Sequence, residues 1–65
     1  MPNENASVKC FVKRDVHVRY VNWCSQRGVS VNAWTKALVL VTVGDIDASA
    51  LDLSPRELED LVRGR

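Results

Sequence analysis

The segment from Val31 to Val43, VNAWTKALVLVTV, restricts what this chain can become more than any other. Plotted at 100° per residue, Val31, Trp34, Ala37, Leu38, Val39, Leu40, Val41 and Val43 spread round almost the whole circumference. Only Asn32, Thr35, Lys36 and Thr42 interrupt them. A helix that is apolar on nearly all sides must be buried on nearly all sides, and 65 residues cannot supply that cover from one chain. A second subunit is therefore expected. The β-branched run VLVTV also suits a strand. Ser30 argues for helix at least at the start, because its hydroxyl is placed to accept from a first-turn N–H.

The length bounds the chain to one domain, and a core of this size is marginal without a disulfide, a metal or a partner chain. With 46% hydrophobic and 26% charged residues, the composition is that of a folding domain. The net charge of +1 conceals a division: residues 1–44 carry six Lys or Arg against two acids, and residues 45–65 carry three against six. The first part is thus +4 and the second −3, which suggests that they face different partners. Cys10 and Cys24 are the only cysteines and His17 the only histidine, too few for a structural zinc within one chain. No metal or cofactor is expected, and both cysteines read as small buried apolar residues. The opening MPNENAS has neither a basic region nor an apolar stretch, so the expected location is a reducing cytoplasm.

Residues 1–6 read as a flexible arm. In SVKCFVK, Val8, Cys10 and Val12 alternate with Ser7, Lys9, Phe11 and Lys13, the period-two pattern of a strand with one apolar and one basic face. The next stretch, RDVHVRYVNWCSQRG, admits two readings. Val16, Val18 and Tyr20 also alternate, which would pair it with the first strand as a hairpin. At helical spacing Val16, Tyr20, Trp23 and Cys24 gather on one stripe instead, Asp15 sits in the first turn, and Gly28 supplies a left-handed stop. The helical reading is favoured, with Trp23 and Trp34 as core residues.

After Gly44, DIDASA reads as a linker or short turn. The tail LDLSPRELEDLVRGR carries the clearest local signal: Ser54 as N-cap, Pro55 at the first helical position, Glu57 three residues after the cap, and Leu53 poised to staple onto Leu58. Leu58, Leu61 and Val62 form a narrow apolar stripe, and Gly64 ends the helix. The rest of its surface is acidic.

Strand, helix, glycine turn and capped hydrophobic helix resemble the ribbon-helix-helix proteins, the Arc and MetJ type of bacterial and phage repressors. The segment RGVSVNAW at 27–34 looks like that family's link between helices, and the resemblance covers about residues 7–43. It implies a mainly α fold with one N-terminal strand: an intertwined homodimer with a ribbon-helix-helix domain at 7–44, followed by a linker and acidic C-terminal helix at 45–65. The paired strands would lie in the DNA major groove. By the same carry-over Ser7, Lys9 and Phe11 would face the bases, Lys13 would continue that face, Arg14 would reach phosphates, and Ser30, Val31 and Asn32 at the start of the second helix would anchor a phosphate. Phe11 stands where the family tends to have a polar or basic residue, and it offers no hydrogen bond to a base edge.

No nucleophile, base and orienting group stand together in the sequence, so a non-enzymatic role is expected. One reading is a dimeric, sequence-specific repressor of double-stranded DNA, or an autoregulating antitoxin whose acidic tail holds a toxin. The other is a small phage-type or plasmid-type adaptor, which would use the same dimer to bind a host protein through Phe11 and the tail stripe Leu58, Leu61 and Val62. No membrane association is expected.

Overall fold

The computed structural model describes residues 9–65. Three α-helices and one 3-10 turn follow in order: α1 Arg14–Arg27, α2 Val31–Thr42, the turn Ala48–Asp52, and α3 Pro55–Arg63. No strand occurs among the described residues. The ribbon-helix-helix assignment, which requires an N-terminal strand, is therefore corrected to a three-helix fold. Ser7, Val8 and the arm lie outside the described residues. Residues 9–13 run without ladder partners directly into α1, and Lys13 at the helix entrance is extended (φ −60°, ψ 151°). A strand exists only where its N–H and C=O groups find a second extended segment, and the described chain offers none. The hairpin reading of residues 14–21 fails for the same reason, since that segment is helix.

The helix boundaries follow from local chemistry. At the end of α1 the N–H of Gly28 donates to the Ser25 carbonyl and the N–H of Val29 to the Cys24 carbonyl, with Gly28 at φ 77°. These are the paired bonds of a Schellman stop, which needs a left-handed residue. Val29 and Cys24, the apolar pair such a stop brings together, are both buried. The same geometry closes α2: Gly44, at φ 84°, donates to Val41 and Asp45 to Leu40. At the start of α2 the Ser30 hydroxyl accepts from the Ala33 N–H at 3.1 Å. Ser54 caps α3 by accepting from the Glu57 N–H at 3.3 Å while its own hydroxyl donates to the Glu57 carboxylate at 2.9 Å. Pro55 occupies the first turn, where no intrahelical N–H is required.

The core lies between α2 and α3. Ala33, Ala37 and Leu40 form one stripe of α2, and with Leu58 and Val62 of α3 and Cys24, Val29, Ile46 and Ala50 they make up its buried residues. Three of these nine are alanine, and small side chains let the elements approach closely. Ile46 and Ala50 anchor the connection, so DIDASA is an ordered turn and no mere linker. Asp47 caps it by accepting from the Ser49 N–H at 2.9 Å, a bond that holds the Asp47 carboxyl below the ordinary carboxylate range.

The α3 stripe suits either a stabilising appendage or a partner surface, and within this chain Leu58 and Val62 are 1% and 4% exposed and Leu61 packs against the same core. The helix closes the chain's own interior. Cys10 was read as buried and is exposed, while Cys24 is buried as expected.

Candidate nucleic-acid interface and subunit face

The Gly28–Ser30 turn joins α1 to α2, and the two helices meet close to it. Trp23 and Trp34 meet with ring centroids 5.0 Å apart, and the guanidinium of Arg27 lies 4.6 Å from the Trp23 ring centre and 5.6 Å from that of Trp34. One turn further along α1, the Tyr20 and Thr35 hydroxyls hydrogen-bond at 2.6 Å. The contact then stops. Val16, the next residue of the α1 stripe, is 38% exposed, and Leu38, one turn beyond Trp34 on α2, is 39% exposed. Trp34 is half-buried and Trp23 still more accessible, so the two rings border the core without filling it.

Large apolar side chains left in water concentrate on these two helices. Val12, Val16, Val18, Val21, Leu38, Val39 and Val43 are all exposed, and among the described residues only Leu53 of the strongly exposed set lies away from α1, α2 and their ends. The apolar circumference of α2 is thus covered by α3, the 3-10 turn and the end of α1, and is left open at Leu38, Val39 and Val43. Single apolar residues on a surface are ordinary, whereas this many on two adjoining helices point to an interaction site.

Charge is divided along the fold as it is along the sequence. Lys9, Lys13 and Arg14 stand exposed at the N-terminal end of α1, furthest along that helix from its packed end, and none makes an ion pair among the described residues. Arg19, one turn on, pairs with Asp15 at 3.8 Å, both side chains largely in solvent. Phe11, between the lysines, is 96% exposed. Of the residues assigned to nucleic acid by sequence, the structure therefore brings Lys9, Phe11, Lys13 and Arg14 together at one end.

It separates them from Ser30, Val31 and Asn32, which lie across the fold where α2 begins. That helix start already faces an anion: the Ser30 N–H donates to the Glu59 carboxylate of α3 at 3.4 Å. Lys36 and Arg63 line the same surface depression with Ser30, Asn32 and Glu59. Sequence reasoning missed Glu59, because a residue 29 positions away gives no local signal.

A second depression of about 190 Å³ runs between the end of α1, the 3-10 turn and the start of α3, lined by Arg27, Val29, Trp34, Leu51, Leu53, Pro55 and Leu58. Arg27 is its one titratable residue, and its volume is below that of ordinary small-molecule pockets, about 300 Å³ and above. No described helix is long and apolar enough to cross a membrane. His17 is exposed on α1. Comparison with protein-family models, with curated proteins and with solved structures gives no match.

Proposed function

We propose that the chain is a small cytoplasmic DNA-binding regulator of the repressor class that works as a homodimer. The uncovered face of α1 and α2 packs against its counterpart in a second copy, and the basic end of α1 from each copy meets the phosphates of double-stranded DNA. The observation that carries the reading is the group Lys9, Lys13 and Arg14, exposed at the end of α1 away from the core and opposite in charge to the acidic α3 region. Cations placed this way gain phosphate contacts without losing intramolecular ones.

A second copy is the occupant that charge permits: at +1 per chain, two copies repel each other little. The adaptor reading is weaker, since its tail contacts Leu58 and Val62 are interior residues.

Lys9→Ala and Lys13→Ala test the proposal in a titration of duplex DNA at several salt concentrations. Each removes two cations per dimer, lowers affinity and reduces the slope of log affinity against log salt by about two, with the dimer retained. Unchanged affinity and slope in both variants refute it.

A further inference from the structure

We propose that the depression between the end of α1, the 3-10 turn and the start of α3 binds a small aromatic monocarboxylate, whose ring enters it and whose carboxylate pairs with Arg27. The site stands independently of the DNA-binding reading. Its walls are apolar: Val29 and Leu58 are buried, Trp34 and Leu51 half-buried, and Leu53 is 37% exposed. Leu53 lies apart from the apolar face assigned to a second copy, so its exposure is left without another explanation. Capped helix ends frame the depression, α1 closed by Gly28 and α3 opened by Ser54. A Cβ added at Gly28 would stand 3.7 Å from the Pro55 Cγ, so the two ends meet closely there.

Size and charge choose the occupant. At about 190 Å³ the depression is slightly larger than a cavity of about 150 Å³ that holds one benzene ring. It admits a single ring and excludes a nucleotide or a fused cofactor. Arg27 is the only charged residue lining it and makes no ion pair among the described residues. The guanidinium lies over the rings of Trp23 and Trp34, the second of which is itself a wall. Stacking on ring faces holds the plane of the guanidinium and leaves its N–H edge to an acceptor in the ring plane. A carboxylate matches that edge with two parallel hydrogen bonds. One negative charge is also the limit. Asp52 stands exposed between Leu51 and Leu53, so a polyphosphate or a nucleic-acid strand meets repulsion there. The C-terminus of a polypeptide carries the same carboxylate, but the described residues offer its backbone no strand edge.

The test titrates the full, isotope-labelled chain with phenylpropionate and with phenylpropanamide, its neutral isostere, and follows backbone and indole N–H signals by NMR. Phenylpropionate shifts the signals of Val29, Leu51, Leu53 and the Trp34 indole saturably. The neutral isostere binds about tenfold more weakly, the loss of one charge-assisted contact. Arg27→Gln brings the acid down to the affinity of the isostere, whereas Leu53→Ala weakens both compounds equally. Signals of the remaining residues at their wild-type positions verify that each variant is folded. Equal affinity of the two compounds for the wild type overturns the proposal, as do shifts confined to Trp23, shifts that never saturate, and wild-type affinity in Leu53→Ala. Tighter binding of a peptide ending in phenylalanine, with the same dependence on Arg27, overturns the small acid as occupant in favour of a polypeptide terminus.

Discussion

The hydroxyls of Tyr20 and Thr35 are 2.6 Å apart and form the last polar link between α1 and α2 before the two helices part. On one side of that bond lie the paired tryptophans and the core; on the other lie Val16 and Leu38, uncovered. Tyr20→Phe keeps the ring and removes the bond, leaving Thr35 to solvent or to its own helix. The expected loss is about 1 kcal/mol in urea-induced unfolding. A double-mutant cycle with Thr35→Val gives a coupling of about the same size, and strict additivity contradicts the role assigned to the pair.

Leu58 ties α3 to α2. It is among the largest fully buried side chains of the described residues, and a core with three alanines has little else to fall back on. Leu58→Ala removes its packing and leaves a cavity, a combination that costs about 2–5 kcal/mol. In a domain this small that is most of the stability. Thermal melts followed by circular dichroism should show a nearly unfolded variant at room temperature. Removing residues 49–65 has the same outcome, because Ala50, Leu58 and Val62 go together. A truncated chain that retains its helical signal contradicts the shared core.

Glu59 holds the start of α2. Its carboxylate accepts from the Ser30 N–H at 3.4 Å in an exposed position, next to Lys36 and Arg63. Glu59→Gln removes the charge and keeps the shape. Stability falls by no more than about 1 kcal/mol, the usual worth of a charge at an exposed helix end. Affinity for duplex DNA rises no more than a few-fold at low salt, because one anion fewer repels the phosphates while the amide oxygen of the variant still accepts from the Ser30 N–H. Equal affinity of the variant and the wild type places this helix end outside the DNA contact.

Most of the helical framework was legible in the sequence because it is written in stop and start residues. Gly28 and Gly44 occupy left-handed positions, and Ser30 and Ser54 form caps by accepting from N–H groups three residues on, a geometry that depends only on nearby residues. The strand was misread because alternation describes side chains, whereas a strand requires backbone partners elsewhere. In DIDASA, Ile46 and Ala50 are buried although the segment shows no period; two isolated apolar residues give no pattern to read. The α3 stripe announced that it would be covered but not by what. An amphipathic helix of nine residues satisfies the same pattern against its own chain or a foreign one. At the candidate interface, Lys9, Lys13 and Arg14 were assigned through the ribbon-helix-helix resemblance, whose strand the described residues lack, while the Ser30–Glu59 contact depends on how α3 folds back.

The measurement that bears most directly on this account is the mass of the protein in solution at micromolar concentration, by sedimentation equilibrium. A single chain is 7.3 kDa and leaves both Val16 and Leu38 in water. The account predicts a species of twice that mass which dissociates only together with loss of helical signal. A homogeneous 7.3 kDa species with its full helical spectrum contradicts it, for the open side of α2 would then need no partner.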